Sequence, residues 1–321
     1  MERITPLIEV RNLSKHFPIN LGLKPKTVKA VDGISFKIYK GETFGLVGES
    51  GCGKSTTGNL ILRLLPATSG EVLLHGVNIQ KYSEKEFRKL RKDLQVIFQN
   101  SSCALDPKMT IGDILAEPLL IHKTVPRVGI QKEVLRLLEL VGLSSLAAKK
   151  FPHEFSGGQR QRIGIAKALS TRPKFVLCDE PVSSLDVSIQ SQILNLMKDL
   201  QKEYGLTYLF IAHGLNVVRH VSNRVGVMYL GKIVEIGDVK DIYENPKHPY
   251  TEALMSAFPD PDINEKKDRI ILKGEIPSPI NRPKGCAFHP RCHRVMDICK
   301  EKEPILEDVK EDHYAACFLK Q

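Results

Sequence analysis

Hydrophobic positions along the chain keep two rhythms. Three short runs, TFGLV (Thr43–Val47), FVLCD (Phe175–Asp179) and TYLFIAH (Thr207–His213), are almost uninterrupted apolar stretches, the pattern of strands covered on both faces in a parallel sheet. Between them the spacing lengthens to three and four. In SIQSQILNLMKDLQKEY, Ile189, Ile193, Leu196, Met197 and Leu200 predict one stripe of an amphipathic helix. QKEVLRLLELVGL does the same with Val134, Leu135, Leu138 and Val141, ahead of Gly142 as a stop signal. RVGVMYLGKIVEIG predicts a β-hairpin turning near Gly231 and Lys232. The basic stretch Asn20–Lys29 (NLGLKPKTVK) reads as a surface loop. After about Tyr250 the texture changes: FPDPDINEKKDR and GEIPSPINRPKG are rich in proline and charge, which marks a boundary before the tail.

Composition bounds this picture without choosing a function. With 321 residues and 42% hydrophobic content the chain can bury a real core and hold one large domain plus a smaller one. No apolar run approaches the roughly eighteen residues that span a bilayer, and Glu2 stands where a secretory signal would be basic, so an intracellular protein is expected. A net charge of +10 suits a polyanionic ligand, a nucleic acid or an anionic membrane surface alike.

The chemistry is concentrated in three places. GESGCGKST, Gly48 to Thr56, fits G-x-x-x-x-G-K-[ST], with an apolar strand before it and TTGNLILRLL after it. Gly48, Ser50, Gly51, Cys52 and Gly53 would form the loop whose N–H groups face phosphates. Lys54 would reach the β- and γ-phosphates, Ser55 would ligate Mg²⁺, and Thr56 would continue into the helix. ATP or GTP is implied. Cys52 reads as a small spacer in that loop. KFVLCDEP then delivers Asp179 and Glu180 at the carboxyl end of a strand, the edge at which open α/β sheets bind ligands. Asp179 is placed to hold Mg²⁺ and Glu180 to orient the attacking water. Third, FSGGQRQRIGIAKAL opens a helix with Ser156, Gly157, Gly158 and Gln159, a second anion-binding helix start.

That tetrapeptide, lying between a phosphate loop and an acidic strand, resembles the signature of ATP-binding-cassette ATPases. The resemblance implies a RecA-like parallel-sheet core with antiparallel β and α-helical subdomains, and two ATP molecules sandwiched between two such subunits. It implies that Gln99 senses Mg²⁺ and the attacking water, that Ser183 to Asp186 cross the dimer interface, that His213 contacts the γ-phosphate, and that Phe17 stacks on adenine. Glu180, His213 and Gln99 are the expected catalytic residues, with Ser55, Gln99 and Asp179 around Mg²⁺. Gly214 follows His213 where the family commonly has an acidic residue. The expected cassette covers 1–245, with a helical subdomain at about 100–165.

The remainder, 246–321, resembles the carboxyl-terminal extension of ATP-binding subunits of oligopeptide and dipeptide importers, a group that includes nickel and glutathione importers. The matching words are YENPKHPYTEALMSAFPDPD, GEIPSP and GCAFHPRC. The implied partners are a second, related ATPase subunit, two membrane-spanning permeases and an extracytoplasmic solute-binding protein, at the cytoplasmic face of the membrane and with no nucleic acid. Cys286, Cys292, Cys299 and Cys317 stand at C-x₅-C-x₆-C-x₁₇-C, without the tight knuckles of structural zinc. A [4Fe–4S] cluster is expected there, as in some of these importers, with zinc, and His289 or His293 involved, or unliganded packing thiols as the alternatives. The rival of another class is a soluble cassette protein acting on nucleic acid or the ribosome. Such proteins usually carry two cassettes or a long coiled-coil insertion; this sequence shows one phosphate loop and no sustained heptads.

Overall fold

The computed structural model describes residues 5–21, 24–100, 104–212, 214–257 and 269–319. Among them the strands follow in chain order as β1 (Pro6–Leu21), β2 (Lys24–Tyr39), β3 (Thr43–Val47), β4 (Ser69–Leu74), β5 (Val77–Asn78), β6 (Leu94–Ile97), β7 (Phe175–Asp179), β8 (Thr207–Ile211), β9 (Arg224–Tyr229), β10 (Lys232–Asp238), β11 (Glu307–Lys310) and β12 (His313–Ala315). The chain divides into two compact units, one built from 1–38, 43–80 and 213–321, the other from 39–42 and 81–212.

The first unit holds an antiparallel sheet in the order β2-β1-β4-β5. Its core side alternates as a half-buried strand should: Ile8 pairs with Leu74 and Val10 with Val72, and all four are buried. In the same unit β3 runs parallel to β9, from Phe44 opposite Arg224 to Val47 opposite Val227. The predicted hairpin is present as β9 and β10, antiparallel, with Lys232 opposite Tyr229. The tail adds to this sheet, because β12 pairs with β10 and β11 with β12. Phe44, Leu46 and Val47 have no exposed surface, which explains the continuous apolar run of β3.

The second unit carries β6, β7 and β8 in parallel, with Leu94 opposite Phe175 and Phe175 opposite Thr207. The predicted strand TYLFIAH ends at Ile211. The helix Val187–Tyr204 buries Ile193, Leu194, Met197 and Leu200, while Ile189 and Leu196 are half-buried.

Two expectations are corrected. In the helix Ile130–Leu140 the buried stripe is Val134, Leu137 and Leu138, and Leu135 is 37% exposed. At 3.6 residues per turn Leu135 points about 100° away from Val134, so it leaves the face that Leu138 shares. The segment Asn20–Lys29 is not simply a loop: β1 continues to Leu21 and β2 begins at Lys24, around residues 22–23, which lie outside the described set. Among the described residues no helix is long and apolar enough to cross a membrane.

Candidate functional site

The phosphate loop lies between β3 and the helix Lys54–Ile61, as its motif requires. Gly53 caps that helix with φ +106°, and a Cβ there would lie 2.2 Å from the Ala30 carbonyl oxygen, so only glycine fits. Among the described residues no side chain caps this helix start and its first turn carries no acid, which leaves N–H groups for an anion. Lys54 folds back along the loop, its Nζ donating to Gly48 O at 2.7 Å and Glu49 O at 3.1 Å. Ser50 and Gly51 are exposed at the apex, and Ser55 and Thr56 are half-buried behind them. Cys52 is buried, and burial raises its thiol pKa against the opposing pull of Lys54, so it remains a protonated spacer.

In the second unit Glu180 follows β7 with φ +49°, a left-handed conformation that is costly for a side-chain-bearing residue. Its N–H donates to Ile211 O at 2.9 Å, and its carboxylate, on a residue 7% exposed, accepts from Gln99 Nε2 at 2.8 Å. Gln99 Nε2 also donates to Ser183 Oγ at 3.2 Å. Gln99, Glu180 and Ser183 therefore form one hydrogen-bonded group, which the sequence order alone did not reveal. Asp179 is half-buried at the end of the same strand.

Ser156 caps the helix Gly157–Leu169 with a capping box: its Oγ accepts from Gln159 N at 3.3 Å, and Gln159 Oε1 accepts from Ser156 N at 3.0 Å. Gly157 is half-buried beside it, and a Cβ on Gly158 would lie 2.6 Å from Ile189 Cγ2, so the second signature glycine has a packing cause. Asp186 is the exposed N-cap residue of the helix Val187–Tyr204. Phe17 lies half-buried on β1, with Lys15 Nζ 5.0 Å from its ring centre. His213 lies outside the described residues.

The tail cysteines come together but do not form an evident metal centre. Cys286, Cys292, Cys299 and Cys317 line one cavity of about 10 Å³, room for about one water. Among the described residues no group of three or more His, Cys, Asp or Glu is placed to hold a metal ion. Burial raises the thiols of Cys292 and Cys317 and pushes Cys286 up to about 11, and at Cys286 the proximity of the other three cysteines adds to the effect. The donor chemistry suits a soft metal or cluster, whereas the geometry does not close around one, so the expected cluster gains no support here. Of the alternative histidines, His289 Nδ1 bonds the Cys286 carbonyl at 2.9 Å and His293 is 3.5 Å from Glu252.

Sequence reading missed three residues at the loop. Arg291 pairs with Glu49 through two contacts, 2.7 and 3.0 Å, and the hydroxyl of Tyr250 accepts from Glu49 N at 2.9 Å. The one signal available was an acidic side chain inside an anion-binding loop.

Comparison with known proteins agrees with this arrangement. A family model described as ABC transporter matches residues 31–183, and one described as oligopeptide/dipeptide transporter, C-terminal region, matches 234–299. The oligopeptide transport ATP-binding protein AppF of Bacillus subtilis (strain 168) is 50% identical over 319 residues, 98% of this chain and 97% of that protein. The dipeptide transport ATP-binding protein DppF of Haemophilus influenzae is 48% identical over 316 residues, 98% of this chain and 97% of that protein. A solved dimeric ATP-binding cassette in a post-hydrolysis state, bound to ADP and Pi, superposes with a TM-score of 0.64 at 28% identity, over 72% of this chain and 98% of its own.

Proposed function

The chain belongs to the ABC transporter family, in the branch that carries the oligopeptide/dipeptide C-terminal region, and from that premise we infer that it is the ATP-hydrolysing subunit of a peptide importer. Its fold is the ATP-binding-cassette ATPase fold, mixed sheet and helices around a phosphate-binding loop. Peptide is preferred over nickel or glutathione because relatives about half identical over nearly the whole chain are named for oligopeptides and dipeptides.

The observation that carries the enzymatic reading is Glu180, buried, held in a strained backbone conformation and hydrogen-bonded by Gln99. Strain maintained by surrounding structure marks functional positions. In the proposed mechanism Gly48 to Thr56 take the ATP phosphates and Lys54 turns to the β- and γ-oxygens. Ser55, Gln99 and Asp179 would hold Mg²⁺, which would offset charge on the phosphates. Glu180 accepts a proton from the attacking water, and His213 steadies the γ-phosphate. Ser156 to Gln159 and Asp186 serve the nucleotide of a second cassette, and Phe17 the adenine. The subunit works as a dimer with permease subunits. A paralogous ATPase partner, a solute-binding protein and a place on the cytoplasmic face complete the reading, supported by the dimeric solved relative and the transport names.

The same reading extends to Cys286, Cys292, Cys299 and Cys317 as ligands of a [4Fe–4S] cluster or zinc on their donor chemistry alone, since the four line one cavity but, among the described residues, are not placed to close around a metal. Iron, acid-labile sulfide and zinc analysis of anaerobically purified protein distinguishes the two.

Glu180→Gln tests the central claim. In the assembled complex ATP turnover should fall at least about a hundredfold while ATP binding is retained, because a proton acceptor is lost and the phosphate contacts are not. Turnover within a few-fold of the unaltered protein would remove Glu180 from the reaction.

A further inference from the structure

Glu49 places a carboxylate inside a loop otherwise arranged to receive anions, and an uncompensated negative charge there would oppose phosphate binding. Its compensation comes from far along the chain. Arg291 donates Nη1 to Glu49 Oε2 at 2.7 Å and Nη2 to Oε1 at 3.0 Å, the paired geometry that gives arginine both strength and direction. The arginine side chain is 8% exposed and that of Glu49 24%, so solvent screens this pair less than a surface ion pair.

The same tail fixes the arginine. Arg291 closes the turn His289–Arg291, its N–H donating to Phe288 O at 3.0 Å, and Cys286 and Cys292 flank that turn. Phe288, 1% exposed, sits 5.3 Å from the ring centres of both Tyr229 and Tyr250. Tyr250 in turn accepts from the Glu49 N–H at 2.9 Å. Glu49 is thus gripped by side chain and by backbone, and both grips come from residues beyond 245.

We propose that Arg291, assisted by Tyr250, is a positioning residue for ATP binding: the carboxyl-terminal segment neutralises Glu49 and fixes the first turn of the phosphate loop. This rests on Gly48 to Thr56 being the ATP site. Removing the arginine leaves an unpaired carboxylate beside the phosphates and frees the loop, so affinity drops although Arg291 touches no substrate.

The test is a double-mutant cycle on the full chain, read as the Kd for a non-hydrolysable ATP analogue with Mg²⁺, alongside the Tm of the nucleotide-free protein. Arg291→Ala should weaken binding about tenfold. The same change in the E49Q background should alter it less than about twofold, because the charge that needed compensation is gone. The Arg291→Ala deficit should also shrink as salt is raised from 0.1 M to 1 M, where the screening length falls from about 10 to about 3 Å. Arg291→Gln, which keeps most of the stem, is the second variant should the alanine protein fail to fold, and it should show the same pattern. Unchanged affinity, an equal loss in both backgrounds, or a loss indifferent to salt overturns the proposal. Failure of the unaltered chain to bind the analogue removes the ATP-site reading, and with it this one.

Discussion

At the scale of single residues, the phosphate loop separates two demands on glycine. Gly51 and Gly53 both have positive φ, +77° and +106°, but a Cβ on Gly51 would meet nothing within 4 Å whereas one on Gly53 would lie 2.2 Å from a backbone carbonyl oxygen. The first site asks only for conformational freedom, the second also for space. Gly51→Ala should therefore cost about 1–2 kcal/mol in stability, the price of the left-handed backbone. Gly53→Ala should cost more than about 3 kcal/mol and abolish ATP binding, because the Ala30 carbonyl or the start of the helix Lys54–Ile61 has to move. Urea midpoints and nucleotide titrations of the two variants check the contrast. Equal losses would mean that the loop relaxes freely around Gly53.

At the scale of elements, the signature glycine Gly158 invites the same question about a helix pair. Ile189, on the helix Val187–Tyr204, would lie 2.6 Å from its Cβ, so Gly158→Ala should destabilise by about 1–3 kcal/mol through crowding. In the I189A background the added methyl should cost almost nothing, which thermal unfolding of the four proteins would show. A residual loss there would point to the helix start itself. Elements with a strong pattern were legible in the sequence: β3, β7 and β8 are almost continuously apolar because both faces are covered, and the loop motif fixed a strand before and a helix after. Those without one were not. β2 is an edge strand, and the Lys24–Lys29 end of it, rich in lysine and carrying Pro25, has neither a continuous apolar run nor a clear alternation to announce it. The Gln99–Glu180–Ser183 group was legible as separate motifs but not as hydrogen bonds. The Arg291 clamp was not legible at all, because its halves are 242 residues apart and no local periodicity encodes a distant partner.

At the scale of the whole molecule, the unit holding the phosphate loop is stitched from three stretches of chain, and one buried knot ties its later parts together. Glu235 on β10, with no exposed surface, accepts from Lys247 N at 2.7 Å, His248 N at 2.9 Å and His313 Nε2, on β12, at 2.7 Å. His248, 2% exposed and packed 5.6 Å from the Phe288 ring, accepts the Tyr250 N–H on its Nδ1 at 3.0 Å. Burial lowers the His248 pKa to about 4, and Glu235 counters only part of that effect. The unfolded chain takes up this proton near pH 6.5, so it binds more protons than the folded one below that point. The His248 contribution is therefore fully present above about pH 6.5 and is lost as pH falls toward 4, about 3 kcal/mol across the window. Protonation would also turn the Nδ1 acceptor into a donor facing the Tyr250 N–H. His248→Asn keeps a cap acceptor and cannot titrate. It should be less stable than the unaltered protein at pH 7.5 through lost contact with Phe288, yet lose less stability between pH 6.5 and 4.5, so that the two denaturation midpoints converge as acid is added. Parallel decline of both proteins would assign the acid sensitivity to other groups and leave His248 a packing residue alone.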